Sequence, residues 1–332
     1  MPTFCRHNRL IQNCPICSRE QSIEARPIVS SSAPAISRPR SAPSERGATA
    51  PPPRARASRA GGRATGVRVR QLVRGQEDGY HCGLIPGVKS SADAARLAGE
   101  LAFSQARLRC LSADPPALYA EAAGPGDLEE RTWLTFLIAY LGPLETDDPF
   151  AEIARVRESW SEPLPDLADA QAGPRGAHDP AHARRTLEAY RAWASRYGSQ
   201  AAAFGGEAAW TPQRRFARAF ERLALPGLHR DARFELLVSL GRLGLYELEA
   251  ASLALGGGNE VTIAAKRALG IGDPLLLERR AQTLAEAAGL PLDALDLGLY
   301  SWERGERVHA GVPVDLAADP VVSERVRDAL GL

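Results

Sequence analysis

From about residue 67 onward, apolar side chains recur three and four positions apart, the spacing that gathers them on one face of an α-helix. Ser91 precedes a run over 92–108 in which Leu97, Leu101 and Leu108 share a face. Asp127 stands at the cap position of a segment over 128–140, where Trp133, Phe136, Leu137 and Tyr140 keep the same spacing. Pro149 sits where a first-turn proline is tolerated and opens 150–160. An amphipathic stretch over 182–197 stops before Gly198, and Thr211-Pro212 starts another over 213–223. Residues 231–243, 247–255, 260–269, 274–288 and 293–302 complete the predicted helices. Period-two alternation is confined to Val67-Arg68-Val69-Arg70, so the chain reads as an all-α domain over 67–332. The stretch 163–181, rich in Pro, Gly and Asp, reads as a long surface loop or insertion.

Ahead of the helical pattern lie two segments of different character. Residues 20–66 run through Ser30-Ser31-Ser32, Pro51-Pro52-Pro53 and Gly61-Gly62 with scattered Arg and few large apolar side chains. Such a stretch cannot bury enough apolar surface to offset its chain entropy and is expected to be a disordered linker. Residues 1–74 hold 14 Arg against 3 Glu, a net of +11, whereas the whole chain is only +1, which leaves about −10 for the rest. A basic arm on an acidic body is a layout common among proteins that meet nucleic acid. All basic residues except Lys89 and Lys266 are Arg, a bias that a GC-rich coding sequence also produces. No run is long and apolar enough for a membrane span or a signal-peptide core, so a cytoplasmic location without membrane contact is expected.

Residues 1–19 carry chemistry. Cys5-x-His7 and, six residues on, Cys14-x-x-Cys17 supply four soft or borderline ligands within 13 positions. Three thiolates and an imidazole match the donor set of a closed tetrahedral zinc site, and Pro15 suits a knuckle turn between the last two cysteines. A structural zinc is expected there, with no open position for catalysis. Cys82 and Cys110 stand alone and read as small buried residues. No nucleotide-cofactor motif is evident.

Three phrases in the helical region resemble, in order, the helix-hairpin-helix DNA glycosylase superfamily. Thr132-Trp133-Leu134-Thr135-Phe136-Leu137-Ile138-Ala139-Tyr140-Leu141, followed by Thr146-Asp147, is similar to that superfamily's apolar entry helix and the turn facing DNA. Phe220-Glu221-Arg222-Leu223-Ala224-Leu225-Pro226-Gly227-Leu228-His229-Arg230 resembles its Leu-Pro-Gly hairpin. Ala264-Ala265-Lys266-Arg267-Ala268-Leu269-Gly270-Ile271-Gly272-Asp273 is similar to the stretch after its catalytic aspartate. The likeness covers roughly 90–310. Within the superfamily, the Cys/His cluster, Glu77-Asp78-Gly79-Tyr80, Leu84-Ile85-Pro86-Gly87, Arg279-Arg280-Ala281 and Leu295-Asp296-Leu297 resemble the alpha-glutamyl/putrescinyl thymine pyrophosphorylases, a branch associated with hypermodified thymine in phage DNA.

This resemblance implies DNA, with a modified base, as the partner. Physically, a Pro-Gly turn between helices exposes backbone N–H groups beside a positive helix end, and both can hold a phosphate without reading sequence. The expected contact residues are Gly227, Leu228, His229, Arg230, Arg233, Lys266 and Arg267. His229 replaces the second glycine of the family hairpin, and Asp231 stands where lyase-type members keep a Schiff-base lysine, so β-lyase chemistry is not implied. Tyr140, Thr146 and Asp147 fall where a pocket for the flipped base would lie, although Trp133, Phe136 and Tyr140 equally fit a core stripe. For the catalytic carboxylate, counting from Gly227 selects Glu249, matching from Leu269-Gly270 selects Asn259 or Glu260, and aligning the second Gly-x-Gly selects Asp293. An Asn at that position would favour binding or transfer over hydrolysis. Three functions therefore stand: an enzyme that flips and excises or remodels a modified pyrimidine, a catalytically degenerate DNA-binding adaptor, and a helical scaffold whose zinc knuckle contacts proteins.

Overall fold

The structure, a computed structural model, describes residues 75–332; the Cys5/His7/Cys14/Cys17 cluster, the linker and the short alternating run lie outside the described residues. Twelve α-helices and no strand are present among the described residues. The chain divides after Val67, and the helices belong to the second unit.

Helix α1 (Ser91–Ala113) starts where the Ser90 side chain accepts the Asp93 N–H, and it buries Leu97, Leu101, Phe103 and Leu108. It packs along α11 (Ala294–Arg304), which also carries α9 (Glu260–Leu269) and, through it, α10 (Pro274–Ala288). A second group is built on α3 (Leu128–Leu141), capped by Asp127 and buried continuously from Thr132 to Leu141. Helix α3 packs against α8 (Arg230–Arg242), and the short α2 (Ala117–Ala123), α4 (Ala151–Val156) and α6 (Gln200–Gly205) gather around it. Helices α5 (Ala183–Arg196) and α7 (Pro212–Arg222) close this side, and α12 (Pro320–Ala329) rests on α1 and α10.

The aromatic stripe of α3 is core. Phe136 stacks on Tyr190 of α5 with centroids 3.7 Å apart, Trp133 and Tyr140 stack on either side of Phe136, and the Trp133 indole donates to the Glu158 carbonyl at 2.8 Å. Tyr140 is 1% exposed, packed within this stripe.

Helices over 260–269 and 274–288 match the spacing, because each has a side-chain cap at its start and a left-handed glycine at its end. Residues 247–255 form no helix. The Glu278 carboxylate takes the N–H groups of Leu253 and Leu255, and these two leucines point inward with Ala254 between them at φ +52°, the period of an extended chain. The predicted helix over 150–160 stops at Val156, and Trp160 N–H is held instead by the Glu130 carboxylate. Cys82 and Cys110 are half-buried rather than buried.

The segment 163–181 is irregular as expected, with exposed residues within 163–172 and at 179–181 and a largely buried turn at 173–177. Gly173 N–H donates to Leu141 O at 2.9 Å and Ala177 N–H to Tyr140 O at 2.8 Å, so it satisfies carbonyls that the end of α3 would otherwise leave unpaired. A Cβ on Gly173 would lie 1.9 Å from Pro143 O, and one on Gly176 would lie 2.1 Å from Leu141 O. Between these two contacts Arg175 is carried into the interior at 4% exposure. Gly→Ala at a permissive site usually stabilises by a few tenths of a kcal/mol. Gly173→Ala should instead lower the stability by about 2 kcal/mol, in the range of interior overpacking, and a urea midpoint equal to or above the wild type would refute this seating.

Candidate active site

Helices α7 and α8 and the turn between them form the hairpin. Gly227 adopts φ +76° and lies so close to α5 that a Cβ there would meet Thr186 Oγ1 at 2.2 Å, a position only glycine fills without strain. Leu228 is buried under the turn. Among the described residues, the N–H groups of Gly227 and His229 have no acceptor, and His229 occupies the cap position of α8 without a side-chain cap bond. The turn therefore presents bare donors at a positive helix end.

Its arginines point elsewhere. Arg230 turns inward, pairs with Asp296, and donates to Leu253 O. Arg233 donates to Phe220 O at 3.2 Å and lies 4.4 Å over the Phe220 ring, where burial, and then the charge of Arg230, push its pKa below the usual arginine value. Arg230 is thus buried, whereas Arg233 is half-buried.

Arg230 belongs to a buried ionic network. Asp296 of α11 bridges Arg230 and Arg175, Arg175 Nε lies 3.5 Å from Glu235 of α8, and Arg107 of α1 meets the other Glu235 oxygen at 2.5 Å. Arg107 also reaches Tyr119 Oη at 3.2 Å and Ala310 O at 3.5 Å. With Asp231 at 3.1 Å from Arg230, three cations face three carboxylates. This balance is what lets charge persist in the interior, where an unpaired ion would not. Burial pushes the Asp296 carboxyl upward, but Arg230 and Arg175 outweigh it and hold it below the ordinary carboxylate range. Burial works against the charge on Arg175, and Asp296 and Glu235 outweigh that as well.

Above this network opens a cleft of about 480 Å³, lined by Arg175, His229, Arg230, Asp231, Gly256, Gly257, Gly258, Asn259, Glu260 and Tyr300. Gly256, Gly257 and Gly258 form a wall with nothing within 4 Å of a Cβ at any of them, so the backbone itself faces the cleft. Asn259 caps α9: its side-chain oxygen accepts the Thr262 N–H at 2.9 Å and its amide donates to Gly256 O at 2.8 Å. Glu260 follows in the first turn, its side chain 45% exposed, but its Oε2 is buried without a hydrogen bond, 3.6 Å from Arg304 Nη1. Tyr300 forms another side, its ring beneath the Arg175 guanidinium at 4.9 Å and its hydroxyl donating to Pro174 O, and burial raises its pKa to about 12. Glu260 is thus a carboxylate facing the hairpin across the cleft with no closer ion pair.

The remaining expected residues lie apart. Glu249 and Asp293 share a second cleft of about 660 Å³ with Arg242. Glu249 accepts from Gln213 at 2.6 Å, and Asp293 is gripped by two nitrogens of Arg242 at 2.7–3.0 Å, with burial raising its pKa against that pairing. Thr146 and Asp147 line a third cavity of about 560 Å³ beside His309, Pro313 and Val314. Lys266 is exposed near the far end of α9. Arg267, also there, pairs with Glu303 at 3.0 Å and lies 4.1 Å over Trp302. A ten-residue helix places that end about 15 Å from Asn259.

Arg107, Arg175, Glu235, Asp296 and Tyr300 escape sequence reasoning, although Arg175 between two glycines in an insertion and Asp296 within an apolar helix are visible anomalies. Among the described residues no group of three or more His, Cys, Asp or Glu is arranged to hold a metal ion, and no helix is long and apolar enough to cross a membrane. No family model, curated protein or solved structure matches the chain.

Asp296→Asn would leave Arg175 and Arg230 facing each other and should cost about 3–5 kcal/mol at neutral pH. Because the folded carboxyl is held below its ordinary value, this contribution is present above the usual aspartate pKa of about 3.9 and lost as pH falls through the lower folded value. Urea midpoints of the wild type and variant should therefore differ widely at neutral pH and converge in strong acid. A constant difference would refute the assignment.

Proposed function

We propose that the helical body binds DNA through the α7–α8 hairpin and works on a nucleotide flipped from the stack, excising or remodelling a modified pyrimidine. The observation that carries this reading is the convergence of two helix starts, His229–Arg230 of α8 and Asn259–Glu260 of α9, on one cleft with a bare glycine wall. Gly227 and His229 N–H groups hold a phosphate, and the cleft receives the extruded base. Of the four residues expected to supply catalysis, Glu260 is the carboxylate that lines that cleft, with Arg304 as its nearest cation at 3.6 Å, and it serves as the acid or base at the glycosidic or C5-substituent bond. The reading places the chain with the helix-hairpin-helix glycosylases, near the thymine pyrophosphorylase-like branch.

Asn259 supports a second reading. It is one of the positions where the likeness would put the family aspartate, and its amide, locked as a helix cap, can neither take nor give a proton in a reaction. A DNA-binding adaptor on a degenerate scaffold accounts for that substitution. In either reading Cys5, His7, Cys14 and Cys17 would hold zinc, whose role would be to order the N-terminal segment, and the arginine arm would add salt-sensitive affinity.

The two readings separate on phage DNA carrying modified thymine or cytosine, by alkali-labile site counting and nucleoside mass spectrometry. The enzyme predicts new abasic sites or altered nucleosides, reduced about a hundredfold or more by Glu260→Gln, the scale of general acid–base loss. Binding without product from the wild type establishes the adaptor instead. Purified chain should also contain one zinc per molecule by elemental analysis, lost in Cys14→Ser; metal-free wild type would remove the zinc assignment.

A further inference from the structure

The exposed side of α7 carries Arg214, Arg218 and Arg222 at four-residue intervals, a straight row of cations about 6 Å apart. Arg218 pairs with Glu221 at 3.0 Å, both well exposed. Arg214 and Arg222 have no carboxylate within ion-pair distance among the described residues. Their guanidinium groups lie over rings instead: Arg214 is 5.3 Å from the Trp210 centroid, and Arg222 is 5.2 Å from Trp210 and 5.1 Å from Tyr197. Trp210 is buried and fixed, since Gly206 at φ +61° packs where a Cβ would come within 2.7 Å of its ring. Tyr197, at the end of α5, is 38% exposed.

This arrangement differs from ordinary solvated charge. The rings hold the guanidinium groups in place without neutralising them, on a helical unit that is acidic overall. A fixed row of cations beside an exposed aromatic ring is the combination that tracks a nucleic acid strand, with phosphates on the cations and a base on the ring. A duplex offers the phosphates but keeps its bases inside.

We propose that Arg214, Arg218, Arg222 and Tyr197 form a track for single-stranded nucleic acid leading into the Leu225–Leu228 turn. The track deepens the nucleic-acid reading above and rests on it for the kind of polymer bound, while its residues are distinct from those of the cleft.

The test uses the full chain and fluorescence anisotropy with labelled oligo(dT) of about 20 nucleotides and a duplex of equal length, across a salt series. The arm contributes to affinity for both, so the salt slope and the ratio of single-strand to duplex affinity are the quantities read. Arg214→Gln with Arg222→Gln should reduce the single-strand slope by about 1.4, at about 0.7 per phosphate contact. Tyr197→Leu should weaken oligo(dT) about fivefold and leave the duplex unchanged, whereas Tyr197→Phe binds as the wild type does; melting temperatures equal to the wild type establish that each variant is folded. An unchanged slope, or equal loss on both substrates with Tyr197→Leu, overturns the track. Wild type that shows these differences yet alters no modified DNA keeps the track and removes the excision reading. Wild type that excises while the track variants bind normally removes the track alone.

Discussion

The interior of this structure is organised around a buried carboxylate, Asp296. It is 1% exposed and receives two arginines, one from the start of α8 and one from the segment between α4 and α5. Isolated, each of the three ions would be too costly to bury; together they can remain charged, provided every partner is present. The segment that brings Arg175 is therefore part of the interior, and its glycines are there to let it approach α3 closely enough. Glu235 and Arg107 extend the same balance to α1 and to the Ala310 carbonyl, so the pairing joins the two helical groups.

The cleft follows from that arrangement. Its floor is the polar top of the network, and its walls are the first turns of α8 and α9 together with a glycine run that contributes backbone alone. The network's three cations are matched by three carboxylates, although several of its guanidinium nitrogens make no hydrogen bond, and Glu260 lines the same cleft with Arg304 3.6 Å away. His229, at the end of the hairpin turn, lines the same cleft, whereas Arg230 is engaged below it.

Helices whose ends carry their own signals were legible from sequence. Asp127, Asn259 and Asp273 cap α3, α9 and α10, and Gly270 and Gly289 end the latter two in left-handed geometry. Residues 247–255 were not legible, because the carboxylate that holds Leu253 and Leu255 in an extended path comes from Glu278, more than twenty positions away. The aromatic positions of α3 carried no signal separating a base pocket from a core; Tyr190, which fills the space, decides it. For the site, the family resemblance brought out His229, Arg230, Asn259 and Glu260, and these line one cleft. Glu249 and Asp293 came from competing alignments, and the geometry puts them together elsewhere. Nothing local reveals that Arg230 faces inward, since its partner lies 66 positions on.

The order in which the network's members leave the ribosome has its own consequence. Arg107 and Arg175 emerge well before Glu235, and Asp296 comes last, 121 positions after Arg175. Arg230, made between Arg175 and Asp296, has its main buried carboxylate partner, Asp296, only when α11 has been made. The charge balance of the interior is therefore complete only with α11, the next-to-last helix of the described residues.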